Sequence, residues 1–514
     1  MRPSAVEIVH RSMNPSPSVD VTDHDLAALQ EVRVLLAQAR QAAPVLAHWT
    51  PEHARQVAKQ VAAALLPRAE FYAEWAVRES RIGKVADKVA KNQLACTLTP
   101  TAWDAVALGG VRRNDALRMV EIGRPAGVVV GLSNSTLPVA TILFKTILCL
   151  MTRNALVISP HPVALACCTA VVRELQAAIE AAGGPAHAVH ILTRPTVEAT
   201  GALMRDARTD VILATGGTPM VCAAYSSGNP AIGVGSGNVP VYVDASADLE
   251  AAAQQIISAK NFDHGSACSA PSVLLLHTRI AGAMLQALAR QGAHVCTDSE
   301  ALSIQNHAYP GGKFNGKVVG RPAHEIAQAA GVQVPLACEA LVCPVANPTE
   351  GHVLLREKLS PLLTCVVVPD IERAIEVAHL MLQHSGAGHT SGIHSASAEQ
   401  AVFWGAALDY YRVVVNGSTV HDSTGANSGL PYTFTIGTGY AGKSSVDANV
   451  GPELLVNWKR IAFPLPGGWA GAMAAGAGAG AASKALSSPS LSSLTPELAA
   501  TVLRIVQEEL EHIR

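Results

Sequence analysis

Residues 127–162 read GVVVGLSNSTLPVATILFKTILCLMTRNALVISPHP. A short β-branched run, Gly127–Gly131, precedes a helix-like stretch from Thr141 to Thr152. A second strand-like run, Ala155–Ser159, follows and is closed by Pro160, His161 and Pro162. β-Branched residues suit the pleated surface of a strand, so this segment reads as strand, helix, strand. The pattern continues outward. Another helix begins near Val163, and Val189–Leu192 and Val211–Ala214 repeat the strand. After Pro240 a second alternating region runs to about Asn416. Its strands are Val241–Val243, Val273–Leu276, Cys365–Val368 and Val413–Val415, with Arg412 at the entrance to the last. Upstream, Asp23 to Ala95 is helical, with Leu26, Leu29, Val32 and Leu36 at three- and four-residue steps. Strands alternating with helices imply parallel sheets with crossover connections, an α/β fold of doubly wound type.

Composition bounds the rest. A chain of 514 residues suits more than one domain. Aromatic residues make up only 4%, so the core must be built mainly from Ala, Val and Leu. The formal net charge of -2 argues against a nucleic-acid footprint, which needs a basic patch. The absence of a long uninterrupted apolar run predicts no membrane span, and the N-terminus lacks the apolar stretch of a secretory signal. The ten cysteines form no paired C-x-x-C set. They read as small core residues of a reduced, cytoplasmic protein.

One cysteine stands apart. Phe262-Asp263-His264-Gly265-Ser266-Ala267-Cys268 surrounds a thiol with small residues that leave sulfur accessible. A turn entering a helix there would lower the thiol pKa through oriented N–H groups. This segment resembles the nucleophile loop of the aldehyde dehydrogenase superfamily, and most of all its CoA-acylating branch, the aldehyde half of bifunctional aldehyde–alcohol dehydrogenases included. The likeness runs in order through Glu79–Asn92, Pro125–Lys145, Arg153–Pro162, Ala214–Thr218, Gly233–Pro240, Phe262–Cys268, Glu357–Pro361, Gly388–Ser391, Asn449–Pro452 and Asn457–Arg460. It spans roughly residues 25–462.

The resemblance implies that the Cys268 thiolate attacks an aldehyde carbonyl to give a thiohemiacetal, which is oxidised to a Cys268 thioester. The oxyanion needs donors. The resemblance assigns one to the backbone N–H of Cys268 and a second to Thr136, with Asn134 and Ser135 as neighbours able to replace it. Hydrolytic members carry a general-base Glu where this chain has Gly233, in Gly233-Val234-Gly235-Ser236-Gly237. Glycine cannot accept a proton, so water attack is slow and CoA, a thiol, is the implied acyl acceptor. The substrate is then a small aldehyde such as acetaldehyde or propanal. An acylating enzyme for sulfoacetaldehyde, a hydrolytic aldehyde dehydrogenase and an inactive scaffold are the rivals. Ala270-Pro271-Ser272 and Gly437–Gly442 differ from the branch's usual wording, and bear on substrate identity.

The resemblance implies NAD as cofactor, with NADP left open because no clear acidic residue marks the ribose contact. Thr215, Gly216, Gly217 and Thr218 would end a strand and open a helix whose N–H groups suit a pyrophosphate. The resemblance places the adenosine ribose at Ser159, Pro160, His161 and Pro162, and the nicotinamide ribose at Glu357. Gly233 and Gly235 complete the cofactor set. His161, His264 and His389 read as satisfied polar groups without a catalytic part, and no metal site is expected.

The implied architecture is two doubly wound α/β domains of the aldehyde dehydrogenase type plus a small β oligomerisation extension. Residues 1–20 read as a mobile tail, 21–237 as the cofactor-binding domain and 238–442 as the catalytic domain. The extension takes 108–122 and 443–462, and the resemblance implies a homodimer or homotetramer. Residues 463–491 read as a Gly/Ala/Ser linker. In 492–514, Thr495-Pro496 can start a helix, and Leu498, Val502, Ile505, Val506, Leu510 and Ile513 fall on one face. The segment resembles the encapsulation peptides of enzymes carried in bacterial microcompartments. It implies a shell-protein partner and a place in the compartment lumen.

Overall fold

The computed structural model describes residues 23–464, together with Arg504 and Gln507. The tail, the linker beyond 464 and the C-terminal encapsulation segment expected from sequence lie outside the described residues, those two positions apart.

Among the described residues, fifteen strands form three sheets. β1 (Gly110–Asn114) and β2 (Met119–Pro125) open the first of these. β3 (Val128–Leu132), β4 (Ala155–Ser159), β5 (Val189–Ile191), β6 (Val211–Thr215) and β7 (Ala231–Val234) make a parallel sheet in the order β5-β4-β3-β6-β7. β8 (Val239–Val243), β9 (Pro271–His277), β10 (Ala293–Val295), β11 (Ala340–Pro344), β12 (Leu362–Val368), β13 (Thr390–His394) and β14 (Arg412–Val415) make the second parallel sheet, β10-β11-β12-β9-β8-β13-β14. β15 (Val456–Ala462) returns to pair antiparallel with β2, so that β2 is the middle strand of a three-stranded sheet.

Most of the strands legible in sequence are buried along nearly their whole length. All five residues of β3, β4 and β6 are buried, because helices cover both faces of a parallel sheet. The helix Pro138–Met151 is buried along its whole length. The helical stretch Pro162–Ala181 has the length and apolarity of a membrane span. It instead lays Cys167, Val171, Val172, Leu175 and Ile179 into the first core and keeps Glu174 outside in an ion pair with Arg68. β13 was not anticipated. Its Thr390-Ser391-Gly392 start carries no β-branched run, yet it is fully buried between β8 and β14.

Two boundaries differ from expectation. The extension's strands are 110–125 and 456–462, while 443–455 contributes no strand. Instead Val450 and Leu455 are buried in the core of the first domain, with Phe434 and Val446 packed against it. The chain beyond β14 therefore crosses back over the first sheet, carried by scattered apolar anchors too sparse to show periodicity.

The first sheet has a topological switch point between β3 and β6, where a crevice opens at the carboxyl ends of the strands. The second sheet meets that crevice with its amino-terminal edge. Residues 235–238 bridge the two, leaving β7 and entering β8.

Candidate active site

Cys268 lies in the turn joining the helix Leu249–Asn261 to β9. The turn leaves a helix and enters a strand, so the expected helix N-terminus at the thiol is absent. Burial, reinforced by the negative charge of Glu357, pushes the Cys268 thiol up to about 12. This reverses the expectation of a lowered thiol pKa, because no oriented run of helix N–H groups offsets the loss of solvent.

The thiol has another partner. His389 Nε2 lies 3.2 Å from Cys268 Sγ, and His389 Nδ1 lies 3.0 Å from Thr390 Oγ1. His389 is fully buried, and burial together with the nearby Arg412 charge lowers it to about 3. Both shifts favour the neutral thiol and the neutral imidazole over a thiolate–imidazolium pair. Sequence reading gave His389 no catalytic part. The signal available was its place in Gly388-His389-Thr390-Ser391, one of the stretches that carry the resemblance, directly before a strand.

Arg412 fixes that histidine's backbone. Its Nε donates to the His389 carbonyl at 2.8 Å and its Nη1 to the Asp447 carbonyl at 2.7 Å, while Nη2 donates to the Gly388 and Gly437 carbonyls. One guanidinium, itself 3% exposed, therefore ties the start of β13 to the segment 437–447.

The loop that carries Cys268 is held from the other side by a buried ion cluster. Asp263 Oδ2 accepts from Lys88 Nζ at 2.9 Å, Lys91 Nζ at 2.6 Å and Ser266 Oγ at 3.0 Å. Burial raises this carboxyl, but the two ammonium groups outweigh it and hold Asp263 well below the usual carboxylate range. Asp263 and His264 both adopt left-handed backbone conformations, with φ of 51° and 52°. That is uncommon for non-glycine residues and costs energy, which the cluster offsets.

Cys268 opens into a cavity of about 70 Å³. Its walls are mainly apolar, with Leu94, Leu137, Phe262, Val420, Phe434 and Ile436 among them. Asn134 lines this cavity, whereas Thr136 lines a separate void of about 10 Å³ behind it. The reason is local. Asn134 Oδ1 accepts from Leu137 N at 3.0 Å, which turns the loop, and Lys88 Nζ holds the Thr136 carbonyl at 2.8 Å on the far side. The Asn134 side-chain N–H group is left without a partner among the described residues.

The remaining sequence-derived positions surround the crevice. Thr215 ends β6, Thr218 opens the helix Thr218–Tyr225, and Gly216 and Gly217 lie between them, where an added Cβ would make ordinary contacts with Met220 and Pro219. Ser159 closes β4 with its hydroxyl 2.8 Å from Thr200 Oγ1, and His161 and Pro162 are exposed beyond it. Ser133 Oγ, at the end of β3, is buried without a partner among the described residues. Glu357 Oε1 accepts from Gly237 N at 3.0 Å, and burial raises this carboxyl to about 8 against the opposing effects of that bond, Lys260 and Lys358. Gly235 faces open space. Gly233 does not. A Cβ there would lie 2.6 Å from the Tyr225 ring and 2.7 Å from Val221.

A family model described as the aldehyde dehydrogenase family matches residues 4–305. The chain belongs to the aldehyde dehydrogenase family. Within this aldehyde dehydrogenase fold, the chain is 34% identical over 439 residues to the bifunctional aldehyde-alcohol dehydrogenase AdhE of Escherichia coli (strain K12). That match takes in 84% of this chain and 49% of the relative, so the chain spans about half the length of the bifunctional protein. An acetylating aldehyde dehydrogenase from Geobacillus thermoglucosidasius superposes with a TM-score of 0.85 at 36% identity, over 87% of this chain and 99% of that one. A propionaldehyde dehydrogenase from the Clostridium phytofermentans fucose utilisation bacterial microcompartment gives 0.77 at 25% identity, over 84% and 97%. The Rhodopseudomonas palustris propionaldehyde dehydrogenase, with bound CoA and an acylated cysteine, gives 0.76 at 25% identity over the same shares.

Proposed function

We propose that this aldehyde dehydrogenase oxidises a small apolar aldehyde to its acyl-CoA, with Cys268 as nucleophile and His389 as its base. The observation that carries this reading is the Cys268 Sγ to His389 Nε2 contact of 3.2 Å at an apolar cavity lined by no carboxylate. As the thiol attacks the carbonyl carbon, its proton passes to His389 Nε2, so neither charged form is held alone in the buried site. The oxyanion of the thiohemiacetal takes hydrogen bonds from the Cys268 N–H and the Asn134 side-chain amide. Asn134 replaces Thr136 in this role because it is the residue of that loop lining the cavity.

The crevice fits a nicotinamide dinucleotide. Gly235 faces open space, and the unpartnered Ser133 hydroxyl marks a polar position at the switch point. When bound, NAD or NADP supplies the two-electron acceptor that turns the thiohemiacetal into a thioester. Thr215, Gly216, Gly217 and Thr218 would hold the pyrophosphate, and Ser159, Pro160, His161 and Pro162 the adenosine ribose. Glu357 would hold the nicotinamide ribose, with Gly233 and Gly235 beside it. CoA thiolate then attacks the acyl carbon, the bond to Cys268 sulfur breaks, and Cys268 recovers a proton.

Lys91 is the cationic lining group and is already paired with Asp263. This favours an uncharged aldehyde over a sulfonate such as sulfoacetaldehyde. A homodimer or homotetramer through the three-stranded sheet, and a shell-protein partner for residues 492–514 in a microcompartment lumen, complete the proposal. The sheet's exposed Ile461 and the amphipathic spacing of the C-terminal sequence support them.

Nicotinamide reduction with propanal should require CoA and yield propanoyl-CoA. Equal rates without CoA, giving free propanoate, would overturn the reading. A second expectation concerns position 233. Gly233→Glu should not confer hydrolysis, because the Tyr225 ring and Val221 leave no room for its Cβ. Thermal unfolding should show an overpacking loss of about 1–3 kcal/mol. Free-acid formation at the CoA-dependent rate would refute it.

A further inference from the structure

Tyr225 sits outside the reacting groups but is wired to them. Its hydroxyl accepts from Gly233 N and from Ser445 N, each at 2.9 Å, and donates to Ser444 Oγ at 3.2 Å. Ser444 Oγ in turn donates to the Gly233 carbonyl at 2.7 Å. Ser445 Oγ donates to the Ala231 carbonyl at 3.1 Å. Both backbone groups of Gly233 are thereby held by one node of hydroxyls, between β7 and the segment 437–447. Val234, the next residue, forms part of the Cys268 cavity wall.

The same segment is anchored at its other end by Arg412, which also holds the His389 carbonyl. Gly437 and Gly439 accept no side chain, since a Cβ would meet Val446 O at 2.5 Å and the Tyr411 ring at 2.3 Å respectively. The segment is thus a tight strap with two anchors, one behind the base and one behind the cavity wall.

We infer that the Tyr225–Ser444 node is a positioning device that decides the acyl acceptor, by keeping the Gly233–Val234 wall seated and water away from the Cys268 thioester. This rests on the acylating reading above. Two fates compete for the thioester. In one, CoA thiolate attacks the acyl carbon, the carbon–sulfur bond to Cys268 breaks, and acyl-CoA leaves. In the other, water adds to the same carbon, the same bond breaks, the water's proton returns the sulfur to the thiol, and free acid leaves. Neither involves a redox change, so the partition between them reports only access and orientation.

The node is buried enough for its loss to matter. Ser444 is 3% exposed, and removing the Tyr225 hydroxyl strips two backbone N–H groups of their acceptor. Tyr225→Phe keeps the ring, and with it the bulk against Gly233, while deleting the node. Ser444→Ala removes the donor to the Gly233 carbonyl from the other side.

The test is the ratio of free acid to acyl-CoA made from propanal at saturating CoA, with CoA KM and kcat measured separately. The full-length variants Tyr225→Phe and Ser444→Ala should each raise the acid fraction about tenfold over wild type and raise the KM for CoA. Acylation of Cys268, followed as the first-turnover burst of nicotinamide reduction, should stay within about twofold. An unchanged acid fraction in both folded variants overturns the inference, even if kcat falls. If one variant fails to fold, the other decides. Wild-type enzyme that makes acid without CoA would instead sink the acylating reading itself, and the two failures are separate.

Discussion

Replacing Cys268 by Ala removes aldehyde oxidation altogether, with kcat lowered by at least about 10⁴-fold. Among the described residues no other thiol shares its cavity. His389→Ala should lower kcat by about 10²–10⁴-fold, the usual range for a positioned base. The sharper readout is alkylation of Cys268 by iodoacetamide. The thiol is pushed up to about 12 and the imidazole down to about 3, so no stable ion pair forms between them near neutrality. The alkylation rate should keep climbing with pH, steepening towards about tenfold per unit as pH 10 is approached, without a plateau near pH 8. His389→Ala should slow it most at neutral pH, where proton acceptance by the imidazole helps most, and least at pH 10. A plateau near pH 7 in the wild type would mean a preformed thiolate–imidazolium pair. Retained aldehyde oxidation in Cys268→Ala would remove the residue from the chemistry.

Much of this was legible in sequence for a definable reason. β3, β4, β6, β8 and β9 are buried almost throughout, so they appear as short stretches rich in Val, Leu and Ile. Cys268, Gly233 and Glu357 could be singled out because their neighbours carry a family resemblance in order along the chain. What escaped was set by tertiary contact. The raised Cys268 thiol depends on the turn between helix and strand, which the small residues around it do not specify. The pairing of His389 with Cys268 joins residues 121 positions apart. The Asn134 Oδ1 to Leu137 N bond and the pull of Lys88 on the Thr136 carbonyl put Asn134, and not Thr136, at the Cys268 cavity, which the sequence does not specify. The strap 437–447 holds its shape through Arg412 and Tyr225, both far from it in sequence.

Asp263→Asn should be the most destabilising single change in the catalytic region. A buried ion cluster is weak evidence for net stability, since desolvation offsets much of its attraction. Breaking one is different. With the carboxylate gone, Lys88 and Lys91, both 4% exposed, keep two ammonium groups without their shared anion. The expected loss is about 3–5 kcal/mol, or a drop in melting temperature of roughly 3–5 °C for a chain of this length. The pH dependence separates this cause from lost packing. Asp263 has its folded pKa below its unfolded one, so its contribution is complete above about pH 4 and fades only as pH falls through the folded value. Wild type should therefore weaken in acid more steeply than the variant. Lys88 behaves oppositely. Burial, partly offset by Asp263, lowers it to about 8 in the folded protein, below the unfolded 10.5. The unfolded chain then binds more protons between those values, and stability rises with pH there. Without Asp263 the lysine falls further, that window widens, and the gap between variant and wild type should shrink as pH approaches 10. Adding Lys88→Met to Asp263→Asn should recover part of the loss at pH 7. A gap independent of pH, with no recovery in the double variant, would show that Asp263 acts by fitting the left-handed turn of residues 263–264 alone, and not by holding charge beneath the nucleophile.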